Sequence, residues 1–249
     1  MKRTIKIFGL IVFFSILNNH LQAQQFNYLP GTIEGHQVIS YTQFTVSYNE
    51  EHEQADWVAY ELDSTEAAAS RKRCNCFKTE RKVNTGSASK NDYRSTGFDL
   101  GHLCPAADNN MSAKANRESF KMTNISPQLP GFNREVWKLV EEWVRMQAKI
   151  YDTIYVVTGP VFLQNLGSIG KNKVTIPGYF YKVLLRKEGT KYYSIALMIP
   201  QIGASFDFRR YVIPVNALES ITGIDFFPAL PDRIENRTES QYQPNKWGL

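Results

Sequence analysis

Residues Phe98 to Asn109 read FDLGHLCPAADN and set one histidine, His102, between Asp-Leu-Gly and Leu-Cys-Pro-Ala-Ala-Asp. The chain has four histidines, at positions 20, 36, 52 and 102, and only the last sits in such company. Pro105 has no amide hydrogen for a ladder, so it closes any strand that carries His102. If residues 98 to 102 run extended, side chains alternate, and Leu100 shares a face with His102 while Asp99 points to the other. Downstream, ESFKMTNISPQLPGFNREVW gathers amides and arginines and feeds the run FNREVWKLVEEWVRMQAKI. There Val136, Leu139, Val140, Trp143, Val144 and Gln147 trace one helical face. The local order is therefore strand, histidine, turn, loop, helix.

Outside this unit the chain reads as strands. HQVISYTQFTVSYN, ADWVAYELD, TIYVVTGPVFL, GYFYKVLLRK and KYYSIALMIP are rich in tyrosine and β-branched residues, several with period-two alternation. Long strands, one strong helix and a polar connector from Asp63 to Gly97 predict an α+β fold, a central antiparallel sheet flanked by helices. A connector of that length is expected to be functional. No repeat, linker or second composition regime divides residues 24–249, which read as one domain.

The first 23 residues have a basic start, an apolar run from Ile7 to Leu17 and a small residue, Ala23, at the expected cut, the pattern of a secretory signal peptide. The run is shorter than the about 20 residues a membrane span needs. Export is the expectation, to the periplasm or the medium. Lys2, Arg3 and Lys6 are the only charged residues in that leader, so its removal takes the formal charge from +5 to +2. Basic residues concentrate instead between Arg71 and Arg94, where Arg71, Lys72, Arg73, Lys78, Arg81, Lys82, Lys90 and Arg94 face only Glu80 and Asp92. A local basic surface suits a polyanion. Three cysteines, at 74, 76 and 104, permit one disulfide in an exported protein, and the expected pairing joins Cys104 to Cys74 or Cys76. No second ligand pair accompanies them for zinc.

The residue types fit phosphodiester hydrolysis, which needs a base for water, a cation for the leaving oxygen and donors for phosphoryl charge. An imidazole titrates near neutral pH and suits the first task. The amide oxygen of Asn133 suits a hard cation such as magnesium, which keeps most of its waters. On a helix Glu141 lies near the Asn133 stripe, whereas Glu142 lies about 180° away at roughly 100° per residue. Glu141 stands about 12 Å further along the axis, so it is expected to reach the cation through a bound water. The competing reading pairs it with Arg145 on an exposed face.

With these residues in place, the chain resembles the DNA/RNA non-specific endonucleases, the ββα-metal nucleases. The family's Asp-Arg-Gly-His stands here as Asp99-Leu100-Gly101-His102, and its Thr/Ser-Asn-x-x-Pro-Gln as TNISPQ. GFNREVW with Glu141 after it, WVAYEL, YVVTGPVF and DFFPALPD extend the resemblance over nearly all of residues 24–249. It implies a ββα-metal finger, with His102 as general base, Asn133 as direct ligand of magnesium (manganese substituting) and Glu141 on a metal-bound water. It further implies that Asn124 orients the base or a water and that Asp99 supports the turn and the imidazole. Arg71, with Arg73 next, matches the arginine that contacts the scissile phosphate upstream of the motif. DNA and RNA are the implied substrates, cut with little sequence preference. Leu100 departs from the pattern where relatives carry arginine; Arg94 or Arg134 would then take over its phosphate contact. The alternative is an exported protein that binds nucleic acid with a degenerate site.

Overall fold

The computed structural model describes residues 27–249, so the leader expected over 1–23 lies outside the described residues. In chain order the strands and α-helices are β1 (Gln37–Ser40), β2 (Thr45–Asn49), β3 (Gln54–Asp63), α1 (Ser64–Ala68), β4 (Asp99–His102), α2 (Ala113–Glu118) and β5 (Ile125–Gln128). A π-helical turn, Phe132–Trp137, then runs into α3 (Lys138–Tyr151). β6 (Thr153–Val161), β7 (Ser168–Ile169), β8 (Val174–Thr175), β9 (Tyr179–Glu188), β10 (Lys191–Pro200), β11 (Val212–Ile213), α4 (Val215–Thr222) and α5 (Asp232–Glu239) follow. Seven strands form one antiparallel sheet in the order β1-β2-β3-β6-β9-β10-β11, which bears out the α+β expectation. Among the described residues no helix is long and apolar enough to cross a membrane.

Both faces of the sheet are covered, and this explains why its strands read as near-continuous apolar runs rather than clean alternation. On β3, Val58, Tyr60 and Leu62 join one core cluster with Val136, Trp137, Val140 and Val144 of the long helix. Trp57 and Ala59, of opposite parity, join the other cluster with Val215 and Leu218 of α4. Each fully buried valine or leucine among them contributes about 1.5–3 kcal/mol relative to exposure. Leu139, expected on the apolar face of α3, is instead 38% exposed.

β4 and β5 form a separate antiparallel ribbon with Gly101 opposite Ser126 and His102 opposite Ile125. The ribbon is tied to the large sheet by Ser126 Oγ, which donates to Gln54 Oε1 at 2.6 Å, and to the π-helical turn by Trp137 Nε1, which donates to the His102 carbonyl at 3.4 Å. Gly101 is required here, because a Cβ at that position would come within 2.5 Å of the buried Gln128 side chain.

The C-terminal helix carries a pH-dependent cost. Glu239 is 4% exposed, and burial first, then repulsion from Glu219, Glu235 and Asp225, raises its carboxyl from an ordinary 4.5 to about 9. A carboxyl raised on folding binds more protons in the native than in the unfolded state between those values, so stability falls as pH rises from about 4.5 through about 9. Glu239→Gln is expected to melt higher than the parent at pH 8, by about 2–4 °C for each kcal/mol relieved, and to converge with it at pH 4. Parallel melting curves across that range would remove Glu239 as the source.

Candidate active site

The ribbon and the long helix converge on a cleft of about 290 Å3 lined by Arg73, Leu100, His102, Pro105, Ala106, Ala107, Asn133, Lys138, Glu141 and Arg145. Strand alternation puts Leu100 and His102 on its wall together, as the sequence predicts. His102 is 6% exposed, its ring set edge-on to Phe120 at 4.8 Å and tilted against Phe77 at 5.6 Å. Burial, and then the Arg73 charge, lower its pKa from 6.5 to about 3, so the imidazole is neutral at physiological pH but a weaker base than the near-neutral titration expected from the sequence would make it. Arg73 Nη2 lies 3.4 Å from His102 Nδ1. A guanidinium has donors only, so this contact assigns the lone pair to Nδ1 and the ring proton to the buried Nε2. Nδ1 is the atom able to accept a proton.

Arg73 stands at the solvent-open rim, over the Phe120 ring at 5.1 Å, with its Nε donating to Asn75 Oδ1 at 2.9 Å. It is this arginine, not Arg71, that reaches the cleft. Arg71 is exposed and donates to the Asn110 carbonyl at 3.2 Å, which corrects the sequence ranking: the connector is irregular there, and spacing along it does not tell which side chain turns inward.

Asp99 does not touch the imidazole either. Its Oδ2 accepts from Asn133 Nδ2 at 2.9 Å, and both its oxygens accept from Arg134, at 2.7 and 2.8 Å. Burial pushes the carboxyl up, but these hydrogen bonds outweigh it and hold the pKa below the usual value. The consequence is orientational: with the Asn133 amide nitrogen committed to Asp99, its Oδ1 is the atom left for the cleft. Arg134, expected as a phosphate contact, is engaged by Asp99, and Arg94 lines a neighbouring cleft with Lys90, Asn91, Tyr93 and Leu100.

Asn124 is fully buried and spends its amide on the main chain. Its Oδ1 accepts from Cys104 N, and its Nδ2 donates to the carbonyls of Cys104 and Ser119, all at 2.8 Å. It therefore fixes the turn after His102 through the main chain and makes no direct hydrogen bond to the imidazole. Cys104 is buried and free, while Cys74 and Cys76 are bonded to each other. The expected bridge to Cys104 fails because that residue faces the core and the Cys-x-Cys segment runs along the surface.

Glu141 faces the cleft, not solvent. Arg145, its supposed partner, pairs instead with the buried Asp108 at 2.9 Å. Burial raises the Glu141 carboxyl above the usual range, opposed by Lys182 and reinforced by Asp108. Lys182, fully buried on β9, lies 4.5 Å over Trp137 and points at the Leu103 carbonyl and Thr158 Oγ1. Asp108 also accepts from Tyr60 at 3.0 Å. Asp108 and Lys182 are contributors that sequence reading missed. Asp108 stands in the opening stretch, but nothing marks Lys182, which looks like any lysine in a strand.

The π turn also matters to this convergence. In an unbroken α-helix Asn133 and Glu141 would differ by about 80° around the axis. A π turn advances fewer degrees per residue and removes much of that drift, an irregularity frequent at functional sites. Beyond the cleft, Phe77, Lys78, Arg81, Lys90 and Lys121 line a groove of about 770 Å3 with Glu80 as its one acidic side chain. It shares Lys90 and Asn91 with the Arg94 cleft, which shares Leu100 with the His102 cleft.

The chain is similar to known nucleases in sequence and in fold. A family model described as DNA/RNA non-specific endonuclease matches residues 22–233. Mitochondrial Endonuclease G of Homo sapiens is 30% identical over 216 residues, covering 80% of this chain and 71% of that protein. Nuclease C1 of Cunninghamella echinulata is 31% identical over 218 residues, covering 81% and 86%. The crystal structure of the EndoG/EndoGI complex contains a chain similar at a TM-score of 0.75 and 27% identity, covering 83% of this chain and 90% of that one.

Proposed function

This chain belongs to the DNA/RNA non-specific endonuclease family, and from that premise we propose that it hydrolyses phosphodiester bonds of DNA and RNA with magnesium, His102 serving as general base. The observation that carries the reading is the meeting of His102 Nδ1, the Arg73 guanidinium, the Asn133 amide and Glu141 in one cleft. A neutral Nδ1 takes the proton of a water, the hydroxide so formed attacks phosphorus as the P–O bond to the leaving sugar oxygen breaks, and that oxygen takes up a proton from solvent. Arg73, within reach of Nδ1, offers its remaining donors to phosphoryl oxygens as negative charge develops.

The donor set also suits a metal. Asp99 holds the Asn133 amide so that Oδ1 is its available atom, Glu141 lies on the same wall, and no group of three His, Cys, Asp or Glu among the described residues makes a closed metal cage. That favours a hard cation with one direct protein ligand and several waters, the habit of magnesium. Such an ion would stabilise the leaving oxygen and the developing phosphoryl charge. The adjoining lysine-lined grooves would hold backbone phosphates without reading bases. Export rests on the pattern of residues 1–23 and agrees with the Cys74–Cys76 bond, which persists in oxidising compartments.

The test is incubation of the mature protein with plasmid DNA and with RNA, in magnesium or in chelator. Cutting of both in magnesium alone supports the proposal; retention of nucleic acid without cutting would replace it with a binding role.

Leu100 gives a sharper prediction. It is half-buried, packs against the cluster around Tyr93, Met122 and Ile125, and borders the cleft. Leu100→Arg is expected to raise turnover about tenfold, equivalent to about 1.4 kcal/mol, with a lower melting temperature from the lost packing. A variant that is less stable and no faster would show that the missing arginine does not limit the site.

A further inference from the structure

Arg73 is held at the cleft by an unusual local device. Cys74 and Cys76 are bonded across one residue, with Cα atoms 5.1 Å apart, and the residue between them, Asn75, adopts a φ of 51°, a left-handed conformation that asparagine tolerates. From that turn the Asn75 side chain reaches back and accepts from Arg73 Nε at 2.9 Å. The Phe120 ring supports the guanidinium from below at 5.1 Å, and Nη2 is thereby aimed at His102 Nδ1. Each part fixes one degree of freedom of a long side chain that stays open to solvent and would otherwise sample many rotamers.

Closing so short a loop removes little entropy from the unfolded chain, because that gain grows with loop length. The bond therefore acts on local geometry more than on global stability. Cys74 and Cys76 are half-buried, so a small reductant reaches them, while Cys104 is sealed in the core.

We propose that the Cys74–Cys76 disulfide and Asn75 form a clamp that positions Arg73 over the cleft, so that reducing this one bond slows the enzyme. In the reduction the Sγ–Sγ bond breaks and two electrons and two protons pass from a dithiol, which closes to its own cyclic disulfide and leaves two cysteine thiols. Asn75 is then free to leave the left-handed region, and the Nε contact goes with it. The inference rests on the nuclease reading given above, and Asn75 acts through Arg73 as a positioning residue.

Two measurements test it. In the first, oxidised protein is compared with protein reduced by dithiothreitol and capped with iodoacetamide, on plasmid in magnesium. The clamp predicts a kcat lower by about five- to tenfold, a KM changed less than twofold and an unchanged melting temperature. Cys74→Ser/Cys76→Ser should run at the reduced rate and ignore dithiothreitol, Asn75→Ala should slow the oxidised enzyme, and Asn75→Asp, which keeps the acceptor, should restore it. In an Arg73→Ala background reduction should have no further effect, since coupled residues lose their separate contributions. Equal rates for oxidised and reduced protein, or an Arg73→Ala variant as sensitive to reduction as the parent, overturn the proposal. The second measurement does not need turnover: the Arg73 Nε–H resonance, identified by its loss in Arg73→Lys, should exchange slowly in the oxidised protein and faster after reduction. If the protein cuts nothing, the nuclease reading fails while this resonance still decides the clamp; a signal indifferent to reduction sinks it.

Discussion

His102→Ala is expected to lower turnover on plasmid and RNA by roughly 10² or more, the scale a general base contributes. The expectation follows from three features acting together. The imidazole is neutral near pH 7 because burial and Arg73 lower its pKa to about 3. Its lone pair is on Nδ1 because the Arg73 guanidinium, its side-chain partner there among the described residues, can donate but not accept. Its orientation is fixed by Phe77 and Phe120 on one side and, through the main chain, by Asn124 and Trp137 on the other. The fold should survive, since the substitution also removes a buried Nε2 that makes no hydrogen bond with the described residues. The variant is therefore expected to melt within a few degrees of the parent, and added imidazole should return part of the rate by filling the space between the two rings. Cutting at the parent's rate by the purified, folded variant would remove His102 from the chemistry.

If magnesium is the metal, Asn133→Ala is expected to raise the concentration needed for half-maximal rate by on the order of tenfold or more, and Glu141→Gln to raise it less. Removing Asn133 takes away the amide oxygen that Asp99 orients, while the two contacts between Asp99 and Arg134 remain to hold the helix start. Glu141→Gln keeps the shape and removes one negative charge beside Lys182 and Arg145. A neutral amide is a weaker acceptor for metal-bound water than a carboxylate but still an acceptor, so part of the contact survives. Titration of magnesium and manganese against rate, with direct calorimetric titration of manganese, checks both. Superimposable curves for Asn133→Ala and the parent would exclude it as the ligand.

Much of this was legible in the residues. The large antiparallel sheet follows from long runs of β-branched and tyrosine residues, and the strands fall where ADWVAYELD, GYFYKVLLRK and KYYSIALMIP place them. The placing of Leu100 beside His102 follows from the two-residue period of a strand, and Glu141 facing inward rather than Glu142 follows from helical rotation. These are local consequences of backbone geometry, which neighbouring residues fix without help from distant ones.

What failed depended on contacts between distant segments. Arg73 displaced Arg71 because a two-residue difference in an irregular connector is settled by where Phe120 and His102 lie, not by spacing. Asn124 and Asp99 both kept a place near the site, but their hydrogen bonds go to the main chain and to Asn133 and Arg134, choices made by whichever partners packing brings within reach. The cysteines paired by proximity along the surface rather than with the buried Cys104. The sequence by itself thus determined the sheet and the strand-turn-helix order around His102, because periodicity is local, and its motifs carried the resemblance that implies His102 and Asn133 as site residues. Only the tertiary structure decided which arginine serves the cleft, what Asp99 holds, and that Lys182 and Asp108 surround Glu141, because burial and pairing are set by segments that meet only when the chain is folded.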